Sequence, residues 1–309
     1  LRAQARPAGS LGRLEEMGAR LAAMAGKLDV RLERKVIVTC AGDHGVVAEG
    51  VTLFPSEVTQ QMVYNFVDGG ASVNVLGRHA GAEQRVADLG VDHAFEPDLP
   101  IFHKKVRRGT DNLAAGPAMS RDEAVQSVQA GIDIVAELKH EGGLDILATG
   151  DMGIGNTTPS TAVIAAFSGL PVNELTGRGT GIDDQMLHHK VEVIERALDV
   201  NQPDADDALD VLAKVGGFEI GGLAGLALGA ALHGVPVVCD GLISTAGALI
   251  AARLQPGVKA YLFAGHRSVE VGHQYMLQQL EQEPVLDLNL RLGEGTGAAL
   301  ALGVLCGAL

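Results

Sequence analysis

The chain contains no tryptophan, and aromatic residues make up only 3% of its 309 positions. Proteins that stack single-stranded bases need more rings than this. Cations are scarce too: 24 Lys and Arg stand against 38 Asp and Glu, for a formal net charge of −14. Such a chain offers no broad basic face, which excludes nucleic acid as a partner but leaves open a small anion in a local pocket. Cysteine is limited to Cys40, Cys239 and Cys306, far apart, odd in number and without a CxxC pair. No disulfide framework or zinc-ribbon spacing is present, and the pattern fits a reducing cytoplasm. A long clean hydrophobic run is also lacking. The least charged stretch, 220–239, is broken by Gly221, Gly222, Gly225, Gly229, Gly234 and Pro236. It reads as a buried helix, a glycine turn and a buried strand, so no membrane partner is expected. No signal peptide is evident, and because the chain opens on Leu1 rather than Met, a preceding segment is expected.

What is abundant is glycine, with 41 residues, within a composition that is 47% hydrophobic and 20% charged. This describes a core of Val, Leu, Ile and Ala punctuated by tight turns. Strand-like runs at 35–41, 84–91, 144–150, 235–241, 259–265 and 286–292 alternate with helical patterns. The helical patterns fall at 56–67, 71–79, 121–140, 158–167, 183–198, 218–233, 244–253 and 266–281. That alternation predicts an α/β fold, a mostly parallel sheet with helices on both faces. A helix at 11–28 precedes the first strand. We therefore divide the chain into an N-terminal helical segment of a small subdomain, 1–34, and an α/β catalytic domain, 35–309.

Five strand ends carry glycine with a polar residue: AGDHG, ATGDMGIGN, CDG, AGHRS and LGEG. Ligands in open α/β sheets bind beyond the carboxyl ends of the strands, so these loops are expected to line one cleft. In RLGEGTGAALALG (291–303), Glu294 stands between Gly293 and Gly295 where a strand gives way to a small-residue helix. Helix-start amides favour anions, so a carboxylate among them reads as a base beside a phosphate site. In ATGDMGIGNTTPSTA (148–162), Gly150, Gly153 and Gly155 allow close approach, and Asn156, Thr157 and Thr158 supply donors. This is a cradle for phosphate or ribose, or a glycine turn with Thr158 as helix cap.

TGRGTGIDDQMLHHK (176–190) offers Gly179, with Arg178 and Lys190 as anion partners; Lys190 is either a phosphate ligand or a solvated helix-face lysine. Asp183 and Asp184 suit the first turn of the helix. Asp43 and His44 form a base with its orienter, or half a metal site near Glu49. No second His lies at ligand spacing, and His188 and His189 point to different helix faces, so no metal is expected. No GxxxxGK[ST] or GxGxxG pattern occurs, which argues against an NTPase or a dehydrogenase. VPVVCDGLISTAG (235–247) has the single acid Asp240 where a pyrophosphate loop needs two, so a diphosphate-sugar donor is disfavoured.

Taken in order, GSLGRLE (9–15), AGDHGV (41–46), PSEVTQQM (55–62), GPAMS (116–120), GDMGIGNTTPS (150–160), KVGGFEIGGLAG (214–225), CDGLIS (239–244) and RLGEGTGAALA (291–301) resemble one family, the nicotinate-nucleotide–dimethylbenzimidazole phosphoribosyltransferases. The resemblance runs from about residue 7 to the end of the chain. It implies a Rossmann-like sheet with a small helical subdomain, a homodimer, and transfer of phosphoribose from nicotinate mononucleotide to 5,6-dimethylbenzimidazole. The product is α-ribazole 5′-phosphate, for the lower ligand of cobalamin, with inversion at the anomeric carbon. The family's catalytic glutamate falls on Glu294, its motif arginine on Arg291 and its phosphate-binding lysine on Lys190. Its GE-[LM]-G-x-x-N-T-T loop falls on 151–158, and its base pocket near Phe54, Pro55, Val58 and Met62. The chain departs from the family at Asp151, where Glu is usual.

The chemistry is consistent with that implication. Nicotinate leaves as a neutral ring from a cationic pyridinium, so neither metal nor cofactor is expected, and one carboxylate suffices as general base. Glu294 in a partly dry pocket would have a raised pKa. Positive charge developing on the ribose would be tolerated near Asp151 or Asp240. The alternative reading is a catalytically idle paralogue that binds a nucleotide or aromatic base as sensor or carrier.

Overall fold

The computed structural model describes residue 7, residues 9–179 and residues 181–309. The other residues of the N-terminal segment (1–6 and 8), and Thr180 in the second glycine-rich loop, lie outside the described residues.

Six parallel strands form the central sheet: β1 (Lys35–Gly42), β2 (Ala82–Gly90), β3 (Phe102–His103), β4 (Ile146–Met152), β5 (Val237–Cys239) and β6 (Leu262–Ala264). Their order is β3-β2-β1-β4-β5-β6. Residues 36–42 of β1 are all buried, because helices cover both faces of a parallel sheet and leave no solvent side. β1 pairs with β2 from Lys35↔Ala82 and with β4 from Lys35↔Ile146. The chain builds outward from β1 to β3, then returns to lay β4 on the other side of β1. At that reversal the connections after β1 and β4 leave toward opposite faces and open a crevice at their carboxyl ends.

Helices Arg121–Gly142, Phe218–Leu232 and Leu242–Leu254 contribute to one large apolar cluster against the sheet. Helices Glu57–Val67, Ser72–Ala80 and Thr296–Gly307 supply a second cluster around Ile37, Ile146 and Val238. Helix Arg13–Ala25 adds Met17 and Leu21 to that second cluster, and its Gly18 packs on the Ala308 carbonyl. The weakly charged stretch resolves into helix Phe218–Leu232, a turn and β5, and no described helix is long and apolar enough to cross a membrane.

Two expectations are corrected. The helix expected at 266–281 begins only at Val271; residues 266–268 form β7 (His266–Ser268). His266 and Ser268 are buried while Arg267 between them is exposed, a period of two that belongs to a strand. β7 pairs with β8 (Leu286–Leu290) in a separate two-stranded sheet, so the last expected strand does not join the main sheet. β3, only two residues long, carried no periodic signal.

Candidate active site

The loop bearing Glu294 crosses the end of β4. Gly150 permits the crossing, since a Cβ there would collide with the Glu294 carbonyl. That carbonyl accepts a hydrogen bond from Thr39 Oγ1 at 2.9 Å. Gly293, Glu294 and Gly295 are all left-handed, with φ of 82°, 65° and 104°. Glycine tolerates this freely; for Glu294 it costs about 1–2 kcal/mol, which the surrounding contacts must offset. Asp240 is one such contact. Fully buried, it accepts the amides of Gly295 at 3.1 Å and Ala298 at 2.9 Å.

This arrangement corrects the reading of the helix start as an anion site. Asp240 already occupies the first turn of helix Thr296–Gly307, so it and the Gly295 amide form a layer beneath the cleft and do not line it. Burial raises the Asp240 pKa, opposed by the nearby His266 and by the amides it accepts.

Glu294 itself lines the cleft, and its Oε2 has no hydrogen-bond partner among the described residues. Burial raises its pKa, the backbone amide of Val73 pulls the other way, and the charge of Asp240 adds to the rise. A carboxylate so placed is a ready proton acceptor. Asp151, at the end of β4, also lines the cleft. Its Oδ2 accepts Asn156 Nδ2 at 3.0 Å, and Oδ1 is unpartnered among the described residues. Burial, with Asp240 second, pushes its pKa up to about 8, so near pH 7 it is mostly the neutral acid.

The cleft holds about 230 Å³ and is lined by both apolar and polar residues. Phe54, Val58 and Met62 line it from the start of helix Glu57–Val67, with Leu242 and Ile243 also in the lining. Pro55 is exposed and does not line it. Gly153, Asn156, Thr157, Gly179, Arg291 and Gly293 line it as expected. Lys190 stands one layer back. It is buried rather than solvated, donates to Thr157 Oγ1 at 2.7 Å, and lies beside Gly179. Burial brings its pKa down to about 8, against the opposing charge of Glu270.

Other expected roles fall elsewhere. Helix Thr157–Ser168 begins after Asn156, so Thr158 is not its cap. Arg178 is held by Asp184 and the Ile182 carbonyl and does not line the cleft, while Asp183 caps its helix by accepting the Met186 amide. Asp43 does not orient His44. Asp43 accepts the Asp92 amide at 2.8 Å, and His44 Nε2 pairs with Glu219 Oε1 at 2.9 Å. Glu49 pairs with Arg196 and Asn112, and among the described residues no three His, Cys, Asp or Glu side chains gather as a metal site.

His266 and Ser268 of the AGHRS loop line the cleft as expected of that loop, whereas Glu270, also in the lining, was missed. Glu270 Oε1 accepts the Gly179 amide at 2.9 Å and so ties the second glycine loop to the cleft. Glu219 was missed too, although a lone acid in the apolar run FEIGGLAGLALG was a usable signal.

A switch-point cleft with a buried carboxylate, a buried lysine behind glycine-rich loops and apolar lining residues fits an α/β enzyme that transfers a phosphoribosyl group. Residues 1–309 match the family model described as phosphoribosyltransferase. The chain belongs to the nicotinate-nucleotide–dimethylbenzimidazole phosphoribosyltransferase family. A relative of that name from Geobacter sp. (strain M21) is 59% identical over 300 residues, covering 97% of this chain and 86% of the relative. Another, from Geotalea uraniireducens (strain Rf4), is 60% identical, covering 97% and 85%. Among solved structures, that of CobT from Thermus thermophilus superposes with a TM-score of 0.95 at 45% identity, covering 98% of this chain and 91% of that one.

Proposed function

We propose that the chain transfers phosphoribose from nicotinate mononucleotide to 5,6-dimethylbenzimidazole, giving α-ribazole 5′-phosphate and nicotinate. The observation that carries the reading is Glu294: a buried carboxylate, unpartnered at Oε2 among the described residues, lining a cleft that Phe54, Val58 and Met62 also line. The slot of Phe54, Val58 and Met62 takes the aromatic base. Lys190, acting at the Thr157 and Gly179 wall, and Arg291 supply positive charge for the 5′-phosphate.

In the reaction a benzimidazole nitrogen attacks C1′ from the α face. The C1′–nitrogen bond to nicotinate breaks, and its electron pair neutralises the pyridinium. The other benzimidazole nitrogen gives its proton to Glu294, so charge and protons balance without a metal. In this reading Asp151 and Asn156, paired with each other in the cleft lining, offer donors and acceptors to the ribose, and Asp240 supports the base by fixing its loop. The same reading carries a homodimer in the cytoplasm, with exposed Phe54 and Leu292 at the cleft rim as apolar surface for a second copy.

Incubation with nicotinate mononucleotide and 5,6-dimethylbenzimidazole, followed by chromatography for nicotinate and α-ribazole 5′-phosphate, tests it. Binding of both ligands with no product would overturn the reading in favour of a sensor or carrier.

A further inference from the structure

Three polar side chains outside the cleft have no task in the reaction above. Thr39 interrupts the apolar run of β1 and is fully buried. Gln84 stands on the neighbouring β2, and Asn74 lies in the first turn of helix Ser72–Ala80. A hydroxyl and two carboxamides in such surroundings destabilise the fold unless each is hydrogen-bonded. They bond to one another in one direction. Asn74 Nδ2 donates to Gln84 Oε1 at 3.3 Å, Gln84 Nε2 donates to Thr39 Oγ1 at 3.3 Å, and Thr39 Oγ1 donates to the Glu294 carbonyl at 2.9 Å. A second link runs through the same asparagine. Asn74 Oδ1 accepts the Ala71 amide at 3.0 Å, and its Nδ2 also reaches the Phe66 carbonyl at 3.0 Å. These bonds hold the start of the helix that carries Val73, whose backbone amide favours the charged form of the Glu294 carboxylate. Asn74 thus bears on Glu294 by contact at the carbonyl, through two side chains, and on its charge through the helix that carries Val73.

We propose that Thr39, Gln84 and Asn74 form a positioning relay for the general base, fixing Glu294 in its left-handed backbone conformation and aiming its carboxylate into the cleft. The inference rests on the reading of Glu294 given above. Donors aligned head to tail polarise one another, which strengthens the last bond, to Glu294. Valine at 39 would fill β1 equally well, and outside the relay the Thr39 hydroxyl serves Glu294 alone among the bonds described. None of the three lines the cleft, so they act through Glu294 and not on substrate.

Thr39→Val removes the hydroxyl at nearly constant volume. Steady-state kinetics beside wild type should show kcat reduced about tenfold, with KM for nicotinate mononucleotide changed by less than about twofold. Thr39→Ser should recover most of the loss. Asn74→Ala should move the acid limb of the kcat–pH profile to higher pH, because a loosened helix start draws away the Val73 amide that favours the charged form of Glu294. If Thr39→Val does not fold, Gln84→Met carries the same measurement from the half-buried link of the relay. Wild-type kcat in the folded variant, a loss that serine does not recover, or an unmoved acid limb would each overturn the proposal. A wild-type enzyme that released no nicotinate would instead overturn the assigned reaction, which separates the two failures.

Discussion

Lys190 Nζ reaches Thr157 Oγ1 across 2.7 Å of protein interior, and through that bond a buried ammonium backs the wall of the cleft. Burial lowers its pKa from 10.5 to about 8. Below pH 8 the charge is present, and its desolvation opposes folding; between pH 8 and 10.5 the native state sheds the proton first, so that opposition is relieved as pH rises. We expect KM for nicotinate mononucleotide to climb above pH 8 while kcat changes less. Lys190→Met should raise KM roughly 10- to 100-fold, as expected for losing a charged phosphate partner. It should leave the melting temperature at neutral pH unchanged or higher. A KM in Lys190→Met equal to wild type would remove the lysine from phosphate recognition.

Replacement of Glu294 by glutamine preserves shape and removes the proton acceptor. Turnover should fall by about 10²- to 10⁴-fold, while nicotinate mononucleotide binding, measured by calorimetry, stays close to wild type. Turnover near wild type would exclude Glu294 as the base.

Asp151 titrates in the opposite sense from an ordinary surface acid. Its native pKa of about 8 lies above the ordinary aspartate value of 3.8, so the native state holds the extra proton in that interval. Stability from this group is therefore full below pH 3.8 and declines as pH rises toward 8. Asp151→Asn should flatten that decline in a series of melting curves spanning this interval, and an unchanged slope would assign the dependence to another group. Asp151→Glu extends the carboxyl at a position whose Oδ1 has no partner among the described residues. We expect its rate to equal or exceed wild type, and collapse would mean that the loop is built around the shorter acid.

Gly150 and Gly303 form a matched pair of tests. A methyl group at 150 meets the Glu294 carbonyl, whereas one at 303, on an exposed helical position, meets nothing within 4 Å. Gly150→Ala should lose most activity and melt earlier. Gly303→Ala should gain about 0.5–1 kcal/mol from helix propensity alone, read as a higher melting temperature with unaltered kinetics.

Much of this molecule is local. β1 is legible because a buried parallel strand must be apolar along its length, and Glu294 is legible because glycines on both sides of an acid mark a backbone that ordinary residues avoid. The loops 148–156 and 292–295 announced themselves in the same way, as glycines where strands end. What the sequence could not determine is which partner each charge meets. Asp240 lies 55 residues from the amide of Gly295 that it accepts, and His44 lies 175 residues from Glu219. Only the folded chain decides that Asp240 fills the helix start, that Lys190 is buried behind Thr157, and that β7 joins a separate sheet with Glu270 at the cleft. The physical reason is that periodicity and turn chemistry act over a few residues, whereas desolvation and hydrogen-bond pairing depend on what the topology brings together.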